Sequence, residues 1–208
     1  RKEKLQSRLA PEATIGLDGV DEMVPFYERG GFRQFTRHRR FEFNSTDSTP
    51  DLDSCLTELA NIDFSEVEDL DEGCFPGNRH AFLRNWIEQE NAIGLGFVEK
   101  DRLRGYGLMR PCLSGWKVGP LIAEEANIAN RLWTGLARHG EGNSMFIDSP
   151  DDNPAAMDLC KSSPPTPPPP RHRLPQAARQ SMQRQQAVQR GWHWRRPART
   201  TLGRATFC

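Results

Sequence analysis

The amino-acid sequence predicts an α/β (α+β) fold: a mixed twisted sheet flanked by helices, incomplete and followed by a disordered basic tail. Three observations carry that expectation. Between residues 51 and 160, helical patterns come first and extended and helical ones then follow in the order βββαβα, which suits one mixed sheet with helices packed on it. All 28 acidic residues fall in 1–160, where 18 basic residues leave a net charge of −10, whereas 161–208 carries 10 basic residues and no acidic one. That split separates an acidic folded body from a basic extension. Hydrophobic residues make up only 36% of the chain, which is low for packing throughout its length.

The elements follow in order. Arg1–Leu9 reads as the end of a charged helix stopped by Pro11. Ala13–Leu17 reads as a short strand, and Asp21 as the cap of a helix through Arg29 that carries Met23, Phe26 and Tyr27 on one face. Gly30 and Gly31 end it, and Phe35, Phe41 and Phe43 share the parity of a half-buried strand. This strand–helix–strand piece is too small to be a domain alone, so residues 1–44 are expected to be the end of a first domain. Residues 45–50 are a polar linker.

The second domain is expected at 51–160. Leu52, Leu56 and Leu59 suggest a helix, and the acidic run Glu66–Glu72 a second, short one. His80–Glu88 places Phe82, Leu83, Trp86 and Ile87 on one helical face. Ile93, Leu95 and Phe97 alternate as a strand that turns at Lys100–Asp101 and returns through Leu103–Arg110. Trp116–Ile122 gives a third strand, and Ile128, Leu132 and Leu136 stripe a helix over Glu124–Arg138. Met145–Ile147 is a further strand, and Asn153–Cys160 opens a last helix.

Five scattered cysteines, with no CxxC pair, argue against a structural zinc site and against a closed disulfide framework. No stretch reaches the roughly 18 continuous apolar residues of a membrane span, and the first residues contain no apolar leader core. A reducing, cytoplasmic setting without membrane contact is the expectation. The start at Arg1 suggests a fragment of a longer protein.

The order of short motifs CFPGNRHAFLRNWI, GYGLMRP, KVGP and DSPDDNPAA, over about Ser65–Cys160, resembles the GNAT superfamily of N-acetyltransferases. The resemblance is to the second domain of tandem GNAT proteins of the YitH/HolE type. IGLDGVDEMVPFYERGGF resembles the strand, helix and Y-x-x-x-G-F with which a first GNAT domain closes. The resemblance implies acetyl-CoA as cofactor, a small-molecule or peptide amine as acceptor, and direct acetyl transfer without a metal. It assigns Tyr27 as the catalytic general acid that protonates the departing thiolate, and Val118, Gly119 and Asn153 as cofactor contacts.

In that superfamily a glycine-rich turn between strand and helix cradles the pyrophosphate of coenzyme A on backbone N–H groups. The corresponding stretch here, LIAEEANIA, has no glycine and opens its helix with Glu124 and Glu125. Carboxylates there stabilise a helix by roughly 0.3–1 kcal/mol each and repel a phosphate. A non-catalytic GNAT-like domain that supports a partner domain is therefore the alternative reading.

Each residue singled out also has a plainer role open to it. Tyr27 can simply pack beside Phe26, and Asn153, before Pro154, can be a helix cap. Cys160 stands where the family has its tyrosine, and reads as a small buried residue rather than a nucleophile. The acidic run around Glu66 can be a solvated face or recognise a substrate ammonium, and His80 and His139 read as surface residues. Lys161–Cys208 opens with SSPPTPPPP and lacks apolar periodicity, so it reads as disordered. Its arginines with Trp192 and Trp194 allow association with single-stranded nucleic acid; an out-of-frame extension, leaving the second domain without closing strands, explains the same composition.

Overall fold

The computed structural model describes residues 15–45, 53–75, 78–140 and 142–162, with the backbone of 189–192 and 205–207. Strand β1 (Leu17–Val20) leads through a 3-10 turn into helix α1 (Val24–Arg29), and β2 (His38–Asn44) follows. After β3 (Leu56–Glu58) and a second 3-10 turn come α2 (Phe64–Glu72) and α3 (His80–Ile87). The hairpin β4 (Ile93–Glu99) and β5 (Arg102–Cys112) precedes β6 (Gly115–Ala123), α4 (Ala126–Arg138), β7 (Ser144–Pro150) and α5 (Pro154–Ser162). Two further strands are β8 (Gln189–Trp192) and β9 (Ala205–Phe207).

The main sheet runs β2-β7-β6-β5-β4-β3, with β9 also paired to β6 and β1 paired separately to β8. All its pairs are antiparallel except β6 with β7. The sheet separates two apolar layers. On one side α4 inserts Ile128, Leu132 and Leu136 against Met109, Val118, Leu121, Met145 and Ile147. On the other, α2 and α3 supply Val67, Leu70 and Leu83 against Leu103, Tyr106 and Ile122. The approach of α4 is close because β5 is glycine there: a Cβ on Gly105 would lie 2.8 Å from Ile128 Cγ2. The β4–β5 turn is the tight one expected, with φ of 53° at Lys100 and 54° at Asp101.

Four local expectations are corrected. Leu56 and Leu59 do not share a helix face. Leu56 lies against Gly135 in one layer and Leu59 against Gly94 in the other, so the chain crosses the sheet edge as strand and 3-10 turn. Asp21 is not the cap: it is the first residue of the 3-10 turn, with Val20 at the N-cap position, and its carboxylate receives Arg37 at 2.8 Å. Phe35 and Phe82, expected inward, are 52% and 49% exposed. The second domain, expected to lack closing strands if the tail is out of frame, has the outer edge of β7 covered by β2 over seven register pairs, from His38↔Pro150 to Asn44↔Ser144. Phe43 seals this arrangement, with its ring 4.9 Å from that of Trp133 on α4.

The expected helix at Arg1–Leu9, the linker after its first residue and most of the tail lie outside the described residues. Among the described residues no helix is long and apolar enough to cross a membrane, and no group of three or more His, Cys, Asp or Glu could hold a metal ion.

Candidate functional site

The site is built where two parallel strands part. β6 and β7 pair only at Trp116–Val118 with Met145–Ile147. Beyond that point the register between β5 and β6 shifts, so that Gly119 and Pro120 together oppose Leu108. A bulge of this kind bends its strand and twists it away from its neighbour. Gly119 takes a φ of 150° there, and its carbonyl accepts the Trp86 indole N–H from α3 at 3.1 Å. Val118 is fully buried among the side chains under α4, so only its backbone faces the strand opening.

The start of α4 shows what this opening can hold. Glu125 is its N-cap residue. Glu124 receives Arg102 at 2.8 and 2.7 Å and Arg104 at 3.0 Å, and Glu125 pairs with Arg104 as well. The bond from Arg102, with that from Arg104, holds the Glu124 carboxyl below its usual range, although desolvation works against it. The two carboxylates thus occupy the end of the helix that a pyrophosphate would need, their own arginines are engaged, and no glycine lets a phosphate approach the backbone. These residues do not fit the diphosphate of coenzyme A. In addition, β9 pairs with Leu121–Ala123 along the same edge of β6.

The face of the sheet toward α3 carries two buried ionic clusters. Asp71 is 1% exposed, receives Arg79 twice at 2.6 Å, and accepts the Tyr106 hydroxyl at 2.6 Å. Burial, then the Asp71 charge, push the Tyr106 phenol well above its ordinary value, so it stays a neutral donor. Glu66 accepts the backbone N–H of Leu103 at 3.2 Å. The acidic run is therefore only partly a solvated face: two of its carboxylates tie α2 to β5.

The second cluster centres on Asp148 of β7. Arg40 of β2 donates to both its oxygens, at 2.8 and 3.0 Å, and Lys117 of β6 pairs with it too. Burial opposes ionisation of Asp148, yet the Arg40 bond and the Lys117 charge outweigh it and hold the carboxyl low. Burial also lowers the Lys117 ammonium, with Asp148 opposing and Arg40 and Arg110 adding to the shift. Arg110 of β5 lies over the Trp86 ring, 4.8 Å from its centroid, and Phe82 stacks on that ring at 5.1 Å.

The residues assigned from sequence are distributed as follows. Tyr27 lies on α1, its ring 5.6 Å from Phe26 and 6.3 Å from Phe32, within its own segment. Asn153 caps α5, accepting the Ala156 N–H at 3.1 Å. The two segments are tied by Thr36, which donates to Asp152 at 3.0 Å, and by the Asp151 N–H on the Arg37 carbonyl at 2.8 Å. Val118 and Gly119 sit together on β6. Cys160 is buried, which pushes its thiol up to about 12. His80 is exposed and bonds Glu68 at 2.7 Å, and His139 is exposed. Sequence reasoning passed over Arg110, Lys117 and Asp148, and read Asp71 only as one member of the acidic run. Two carried a signal: Lys117 and Asp148 are lone charges inside apolar strands, KVGPLIA and MFIDSP.

With this geometry in place, residues 67–167 match the family model of the acetyltransferase (GNAT) domain. Over 145 residues the chain is 30% identical to the uncharacterized N-acetyltransferase YitH of Bacillus subtilis, an alignment covering 69% of this chain and 51% of YitH. It is 30% identical over 146 residues to the holothin acyltransferase of a Pseudoalteromonas species, covering 69% of this chain and 49% of that protein. The chain thus spans about half the length of these curated relatives. Among solved structures, its fold resembles a Pyrococcus horikoshii protein solved as a candidate acetyltransferase, with TM-score 0.60, 22% identity, and coverage of 76% of this chain and 50% of that one. It also resembles a GCN5-related N-acetyltransferase from Sphaerobacter thermophilus, with TM-score 0.51, 13% identity, and coverage of 77% and 61%. Residues 67–167 of this chain thus form a domain of the GNAT acetyltransferase family.

Proposed function

We propose that this chain takes part in acetyl-CoA-dependent transfer of an acetyl group to a small-molecule or peptide amine, as one portion of a longer cytoplasmic protein with two GNAT-type domains. Residues 1–44 are the closing part of the first domain, which lends β2 to the sheet of the second, at 51–160. The observation that carries this division of labour is the start of α4. A helix end without glycine, loaded with Glu124 and Glu125, leaves the coenzyme phosphates to the other domain. The second domain then supports the first and offers surface for the acceptor.

In this reading Tyr27 keeps its general-acid assignment as a residue of the first domain. Val118, Gly119 and Asn153 occupy the family's cofactor positions but serve structure here: core packing, the Trp86 contact and the α5 cap. The half-length match to the relatives supports a longer protein.

Isothermal titration and thermal unfolding of the full chain with excess acetyl-CoA test this. A ligand that binds only the folded state must raise the melting temperature. No heat and no shift are expected. Saturable binding would overturn the reading and place a working cofactor site in this domain.

A further inference from the structure

We propose that the sheet face beside α3 is an anion-binding subsite for the acceptor, taking a carboxylate or phosphate at Arg110 and Lys117 and the planar body of the molecule against Phe82 and Trp86. The acceptor role rests on the amine-transfer reading above; the anion site does not.

Four ionic side chains cross this face in a row. Arg110 and Lys117 are register partners on β5 and β6, and Arg40 and Asp148 are register partners on β2 and β7. Three cations therefore share one carboxylate, and Arg40 and Lys117 already engage it. The nearest further acid on β2, Glu42, accepts the Ser144 hydroxyl at 3.0 Å. Arg110 has no carboxylate partner among the described residues, and its buried Nε makes no hydrogen bond. A guanidinium in that state lacks the charged partner that offsets desolvation.

What holds Arg110 there is the Trp86 ring. Trp86 is itself fixed by its indole bond to Gly119, at the bulge where β6 leaves β7. Stacking on an aromatic face leaves the edge of a guanidinium free to grip an oxyanion with two parallel bonds. Phe82 extends the ring wall outward and is 49% exposed, so an apolar planar ligand would gain contact without displacing any core side chain.

Titration calorimetry on the full chain, without coenzyme, tests the subsite with three probes: 4-aminobenzoate, 4-aminophenyl phosphate and methyl 4-aminobenzoate. At least one anionic probe should bind about tenfold or more tighter than the neutral ester, and weaken as sodium chloride is raised. Which anion binds better identifies the natural group. Arg110→Gln should lose about tenfold in anion affinity, Arg110→Lys less, and Arg39→Gln none. Phe82→Ala, at an exposed position, should weaken all probes while keeping the anion preference. Equal affinity for ester and anions, an Arg110→Gln variant that binds as the parent does, or no binding of any probe would overturn the subsite. Anion binding without acetyl transfer in the longer protein would count against the proposed function and leave the subsite standing.

Discussion

At the scale of single residues, the ionic pattern is set by which carboxylates are withdrawn from water. Asp148 is held as an anion by Arg40 and Lys117 and lies below its ordinary value. An acid with a depressed folded value contributes stability that is fully present above its unfolded value, about 4. That contribution is lost as pH falls through the folded value, because the unfolded chain takes up its proton first. Asp148→Asn should therefore lower stability at pH 7 yet flatten its fall below about pH 4. Urea unfolding of both proteins at pH 3, 4, 5 and 7 measures this, and parallel curves across the range would show that the pair contributes nothing pH-dependent. Little of this was legible beforehand. Lys117 and Asp148 stand out as charges in apolar strands, but nothing local in the sequence says that they meet.

At the scale of elements, close approach replaces side-chain volume. α4 can sit directly on β5 because Gly105 and Gly107 leave room for Leu132 and Leu136. A Cβ on Gly105 would also come within 3.0 Å of the Ile122 carbonyl oxygen, a backbone atom with little freedom to yield. Gly105→Val should cost about 1–3 kcal/mol through overpacking, read from denaturant midpoints, with exposed Leu113→Ala as an unaffected control. A neutral Gly105→Val would mean that α4 stands farther from the sheet than described. The same scale explains why the start of α4 excludes a phosphate: its sequence, LIAEEANIA, was legible as lacking glycine. That Arg102 and Arg104 would bind both glutamates was not, since Arg102 comes from 22 residues away.

At the scale of the whole molecule, a strand from the first segment, β2, completes the main sheet. β2 pairs along all of β7, Arg40 neutralises Asp148, and Phe43 packs on Trp133. Removing residues 1–50 would uncover the β7 edge, a template for intermolecular pairing. It would also remove a buried phenylalanine, itself worth roughly 3–5 kcal/mol. The shortened chain is expected to be at least about 3 kcal/mol less stable and to associate with rising concentration, as seen by urea unfolding and sedimentation velocity. A stable monomer would show that β2 is dispensable to the sheet. This contact is also what a two-domain reading leaves open from sequence: a polar linker marks a boundary in composition, not in hydrogen bonding.

The sequence by itself determined the elements whose signal is local. The helices at α2, α3 and α4, the β4–β5 hairpin and its turn, and the order of strands and helices from α2 onward follow from apolar period, caps and turn chemistry within about 15 residues. Tertiary structure alone decided the rest. It turned Leu56–Glu58 into a strand because Leu56 and Leu59 pack in opposite layers. It left Phe82 exposed beside Trp86, and buried Asp71 in the middle of an acidic run. It also joined Arg40 to Asp148 across 108 positions. The physical reason is the same throughout: periodicity reports which face of an element is apolar, whereas burial of a charge depends on what the distant chain brings to meet it.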